Sequence, residues 1–146
     1  MHSREALTWI GCMCYAGQGV DFDEGKAFSY FRKAAGAGDL DALFMMGRCY
    51  MEGSAVEKDD RKAADCFKET ADRGYPMGMW ALGQSYLHGI GVQRDEKKAV
   101  ALYQKAAGMN LAAAYSALAQ CYRYGAGVAE DKAAAVEMYK QAFALG

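Results

Sequence analysis

Apolar and small residues recur along this chain at the spacing of a helix face rather than the alternation of a strand. Ala42, Met46 and Tyr50 stand at i, i+4 and i+8, as do Gly78, Leu82 and Tyr86, so each set shares one side of a helix. The pattern then returns as a block. Ile10-Gly11, Met46-Gly47, Leu82-Gly83 and Leu118-Ala119 recur every 36 residues, and the turns GQGV, GSAV, GIGV and GAGV, starting at Gly17, Gly53, Gly89 and Gly125, keep the same step. Asp23, Asp59, Asp95 and Asp131 share one phase, Ala27, Ala63, Ala99 and Ala135 a second, and Phe31, Phe67, Tyr103 and Tyr139 a third.

Each block reads as helix, turn, helix. The aspartates follow the glycine turn, where a carboxylate caps the first backbone N–H groups of a second helix. Gly38, Gly74 and Asn110 fall where that second helix should stop, and both residue types tolerate the left-handed conformation of a helix end. Pro76 then opens the next first helix, where a missing N–H is harmless. Gly47 and Gly83 interrupt first helices at a cost of about 1 kcal/mol each relative to alanine, which predicts close approach of another helix. A hairpin of this size leaves its apolar stripe uncovered unless a neighbour stacks on it. The expected fold is therefore all-α: a right-handed α-solenoid of four helix-turn-helix repeats, spanning about 4–39, 40–75, 76–111 and 112–146 of a single repeat domain.

Composition narrows the partners. Seventeen Lys and Arg against 18 Asp and Glu give a net charge of -1, which provides no general attraction to nucleic acid or to an anionic membrane surface. No apolar run approaches the roughly 20 residues of a spanning helix, and Met1-His2-Ser3-Arg4-Glu5 lacks the apolar core of an export signal. Five cysteines without paired spacing argue against a disulfide framework and for a reducing compartment, so a cytoplasmic location is expected.

The repeating unit resembles the Sel1-like repeat, a relative of the tetratricopeptide repeat with a slightly longer unit. The family pattern, approximately AxxxLGxxYxxGxGVxxDxxKAxxYYxKAA, is met nearly in full between Gly78 and Ala107 by Leu82, Gly83, Tyr86, Gly89, Gly91, Val92, Asp95, Lys98, Ala99, Tyr103, Lys105 and Ala106. Departures are local: Cys14 replaces the helix tyrosine in the first unit, Ala55 the second turn glycine in the second, and Ala119 the helix glycine in the fourth. The resemblance implies a non-enzymatic scaffold or adaptor that binds a protein or peptide segment. A secreted, cysteine-rich branch of the family is associated with β-lactam binding or hydrolysis, so a β-lactamase-like hydrolase is the rival reading. That branch repeats a paired cysteine in every unit, and this chain does not. A purely structural segment of a longer array is a third reading.

By the same resemblance, a ligand would lie in a concave groove lined by first-helix positions turned away from the LG stripe. Carried over by phase, the central row is Cys12, Arg48, Gln84 and Gln120. Beside it stand Thr8, Phe44 and Trp80, and at the helix ends Glu52, His88 and Tyr124. Arg48, Gln84 and Gln120 would hydrogen-bond a peptide, with Phe44 and Trp80 as apolar anchors; Trp, Tyr and Arg are the residue types enriched in binding hot spots. The alternative for Phe44 and Trp80 is plain packing between first helices, since helical aromatic stripes are commonly core.

Other chemistry is poorly supplied. The glycine turns match neither GxGxxG after a strand nor GxxxxGK[ST], which leaves a backbone role. Cys12 and Cys14 are two residues apart on a helix, so their thiols diverge and a shared metal is not expected. His2 and His88 are the only histidines, and His88, with Glu52 one unit earlier in the same slot, lacks an oriented nucleophile. No cofactor or metal is expected. The chain ends on Phe143-Ala144-Leu145-Gly146 without a polar cap, which predicts an exposed apolar stripe. It is expected to be a monomer or a fragment of a longer array, with end-to-end association as the other way to cover that stripe.

Overall fold

The computed structural model describes residues 4–17 and 23–146, and among them the chain forms helices and no strand. In order these are α1 (Arg4–Ala16), α2 (Glu24–Gly36), α3 (Leu40–Glu52), α4 (Asp60–Asp72), α5 (Pro76–His88), α6 (Glu96–Gly108), α7 (Ala112–Tyr124) and α8 (Lys132–Leu145). The first glycine turn, Gly17 to Val20, lies outside the described residues beyond Gly17, as does His2. The chain divides into two compact units, Met1–Thr70 and Ala71–Gly146.

Local chemistry sets the helix limits. Asp23, Asp95 and Asp131 each accept a backbone N–H three residues on, and Asp59 does the same from Lys62 at 3.0 Å. The N–H of each aspartate in turn reaches back to the first helix, from Asp59 to the Tyr50 carbonyl at 2.9 Å and from Asp95 to that of Tyr86 at 2.9 Å. Gly53, Gly89 and Gly125 close the first helices with φ near +70°, and Gly38, Gly74 and Asn110 take positive φ between the hairpins. Ala55 holds the second turn position at φ +66°, a conformation costly to a residue with a Cβ.

In the first unit the glycine stripe receives aromatic rings. A Cβ on Gly11 would meet the Phe31 ring at 2.7 Å, and one on Gly47 the Phe67 ring at 2.6 Å, so the missing side chains are what lets each second helix approach. Cys14, Ala27, Phe31, Ala34, Ala42 and Cys49 form a buried cluster around this contact. Two polar links tie α1 to α3. At one end Thr8 Oγ1 donates to Asp39 Oδ2 at 2.9 Å, while Asp39 Oδ1 caps α3 through the Ala42 N–H at 3.2 Å. At the other, the Tyr15 hydroxyl donates to Glu52 Oε2 at 2.6 Å.

The second unit repeats the scheme with Tyr103 over Gly83, where a Cβ would sit 2.6 Å from the ring. Gly127 approaches α6 so closely that a Cβ there would lie 2.5 Å from the Glu96 carbonyl oxygen, and its N–H donates to Glu96 Oε2 at 3.0 Å. The last hairpin differs. Its first-helix glycine is Ala119, fully buried, and the ring of Tyr139 is 37% exposed where Tyr103 is wholly enclosed.

Candidate functional site

The first-helix positions fall into two sets, one in each unit. In the first unit Arg48 and Glu52 lie one turn apart on α3, and Arg48 Nη2 donates to Glu52 Oε1 at 3.1 Å. Glu52 also holds Tyr15 from α1, so the carboxylate bridges a cation on its own helix and a phenol on the neighbouring one. The Tyr15 hydroxyl holds the Glu52 carboxyl below the ordinary carboxylate range against the opposing effect of burial, and Arg48 adds to the lowering. Arg48 keeps two-fifths of its side chain in solvent, so it can still meet a ligand.

Two expected groove residues here are internal. Phe44 is only 7% exposed, and its ring packs on Phe67 with centroids 5.5 Å apart; it anchors α3 to α4 rather than a ligand. Thr8, in the same slot of α1, is buried and spent on Asp39. Periodicity places both on the right face but does not report how deeply the neighbouring helix covers that face.

In the second unit, His88, Gln120 and Tyr124 come together around a hollow of about 240 Å³, whose wall also includes Leu87, Arg94 and Glu96. Successive first helices supply it, with His88 from the end of α5 and Gln120 and Tyr124 from the end of α7. The turn after α5 adds Arg94, which pairs with Glu96 at the start of α6. Tyr124 is 70% exposed, and the Arg123 guanidinium lies over its ring at 5.3 Å from the centroid. Donors, an acceptor carboxylate and an accessible ring therefore line one open depression. Trp80 and Gln84, further back on α5, are partly buried and do not line it.

Arg94 and Glu96 were not singled out by the sequence, although their position beside the capping aspartate was a usable signal. Cys121 also lines the hollow, which places a thiol in the same wall as His88. That thiol is buried, and burial, aided by the Glu96 charge, pushes its pKa up, the reverse of what a nucleophile needs. Burial likewise pushes the Cys49 and Cys66 thiols up to about 11. All five cysteines are free, and among the described residues no group of three metal-ligating side chains gathers.

The Sel1 repeat pattern matches residues 4–39, 40–75, 76–111 and 112–146, nearly the whole chain. The chain belongs to the Sel1-repeat family. Among solved structures, this Sel1-repeat chain is similar to a Sel1 repeat protein from Oxalobacter formigenes, with TM-score 0.92 and 33% identity over 99% of this chain and 59% of that one. It is also similar to a protective antigen of uropathogenic Escherichia coli displaying an SLR fold, with TM-score 0.90 and 29% identity over 99% of this chain and 31% of the antigen. Cysteine rich protein B of Helicobacter pylori is more distant, at TM-score 0.62 and 25% identity over 76% of this chain and 90% of that one. The chain thus spans about a third of the antigen and three-fifths of the Oxalobacter protein. No curated protein matches it. Sel1 repeats commonly serve as protein-interaction scaffolds without catalytic activity, and the all-α helical repeat fold is that of the family.

Proposed function

We propose that this chain is a non-enzymatic scaffold that holds an extended peptide or protein segment on its first-helix face. The observation that carries the reading is the hollow of the second unit, where His88, Gln120 and Tyr124 converge with free surface. Arg48 is the corresponding contact in the first unit, held in place by Glu52. The near-neutral charge favours a protein ligand over nucleic acid, and no described helix is long and apolar enough to cross a membrane. The buried, high-pKa thiols support a non-catalytic role, and with five free cysteines they support a reducing, cytoplasmic setting.

The test is a display selection of random peptides on the immobilised chain, followed by titration of the recovered peptides. The double variant Gln120→Ala/Tyr124→Ala should bind them at least about tenfold more weakly, since a lost hot spot is worth upwards of 1 kcal/mol each, while keeping the helical circular dichroism. Unchanged affinity in the folded variant would contradict the assignment.

A further inference from the structure

Where α2 meets α3 and the turn that leads into α4, the first unit opens a hollow of about 520 Å³. Its apolar wall is Phe28, Tyr50 and Val56, and the Phe28 and Tyr50 rings meet edge to face with centroids 5.7 Å apart. Beside that wall stand Arg32 from α2, Glu57 from the turn and Lys62 from α4, with the Lys62 ammonium 5.6 Å from the Tyr50 ring centroid. Lys58 and Asp59 complete the lining, and both are engaged. Lys58 Nζ donates to the Met51 carbonyl and to Asp60 Oδ1, each at 2.9 Å, while Asp59 caps α4. Arg32, Glu57 and Lys62 have no ion-pair partner among the described residues, so one positive charge is left in excess.

The second unit makes the same kind of joint, α6 against α7 and the turn after it, from the positions two repeats further on. It keeps the residues that shape the joint: Tyr122, Val128 and the capping Asp131 stand where Tyr50, Val56 and Asp59 do. The cations are gone. In the slots of Arg32, Lys58 and Lys62 it carries Gln104, Glu130 and Ala134. A joint that forms without these cations does not need them for folding, which leaves the positive charge of the first joint to be explained by what it meets.

We propose that this hollow takes a carboxylate side chain of an extended peptide that carries an apolar residue beside it. The Arg32 guanidinium offers a planar pair of donors matched to a carboxylate, and Lys62 adds a second positive charge. The wall of Phe28 and Tyr50 receives the apolar neighbour. One excess charge matches a carboxylate better than a phosphate, which carries nearly two. Glu57 accepts the peptide's own N–H, a donor that a simple carboxylic acid lacks. The site lies wholly in the first unit and uses none of His88, Gln120 and Tyr124, so it stands or falls apart from the hollow of the second unit.

Backbone amide shifts of the labelled chain, titrated with the peptide acetyl-Ala-Phe-Glu-Ala-amide, test this. Saturable shifts are expected at 28–32, at 50 and at 56–62. The matching glutamine peptide and the free acid hydrocinnamate should each bind at least about tenfold more weakly, since each lacks one of the charged or donor groups the hollow would engage. The acidic peptide should lose about as much on the variant Arg32→Gln/Lys62→Ala, which gives the first joint the residues of the second, with helical circular dichroism unchanged. Should that pair unfold, Arg32→Gln alone, a change at an exposed position, carries the same direction of loss. No saturable shift at those residues, equal affinity for the glutamine peptide, or undiminished binding by a folded variant would overturn the proposal. Tighter binding of a phosphoserine peptide, or equal binding of hydrocinnamate, would overturn it in favour of a phosphate or of a free acid.

Discussion

Tyr103 puts a phenol in a slot that the first unit fills with plain rings. Phe31 and Phe67 hold the same slot in the first unit, and all three rings are enclosed. The Tyr103 hydroxyl has no hydrogen-bond partner among the described residues, and burial pushes its pKa well above that of an ordinary phenol. Removing an unsatisfied buried hydroxyl while keeping the ring relieves a desolvation cost, so Tyr103→Phe should stabilise the fold by about 1 kcal/mol in urea titration. A destabilised variant would mean that the hydroxyl has a partner in solution. Glu52 offers the opposite case, a polar group whose charged form is held by its neighbours. Its folded-state pKa is depressed, so its contribution is present in full above the ordinary carboxylate pKa of about 4.3 and is lost as pH falls through the lower, folded value. Tyr15→Phe removes the leading cause. Thermal melts should place that variant below wild type at pH 7, with the gap closing near pH 3; a gap independent of pH would rule out the Tyr15–Glu52 bond as its source.

Among the helices, the contact of glycine with an aromatic ring sets how near the two arms of a hairpin come. A methyl group at Gly47 would press on the enclosed Phe67 ring and on Cys66 Cβ at 3.1 Å. Overpacking costs about 1–3 kcal/mol against a helix-propensity gain of about 1, so Gly47→Ala should destabilise by up to about 2 kcal/mol in chemical denaturation. A stabilised variant would show that propensity, not packing, governs the position. The fourth repeat carries Ala119 at this position, and its ring, Tyr139, is the one left partly exposed. Much of this was legible in the sequence: the recurring glycine demanded a close neighbour, and the aspartates demanded helices to cap. For Phe44 the sequence left packing and ligand anchoring both open, because a slot shared by Thr8, Phe44 and Trp80 specifies a face while burial depends on the adjacent helix. Nor was the bond from Tyr15 to Glu52, which joins residues 37 apart through tertiary packing.

For the molecule as a whole, one sequence unit recurs four times, and under the proposed function the differences between the copies carry the specificity. Conserved geometry within each hairpin leaves the first-helix ends free to vary: Tyr15 and Glu52 bind each other in the first unit, whereas His88, Gln120 and Tyr124 open a hollow in the second. The stated role, capture of a peptide by that surface, is tested most directly by backbone amide chemical shifts of the labelled chain titrated with a selected peptide. Saturable shifts should concentrate at 87–94 and 120–126, with smaller ones around Arg48. Shifts confined to exposed second-helix residues such as Ser29, Lys68 and Gln104 would place the ligand elsewhere and contradict the account.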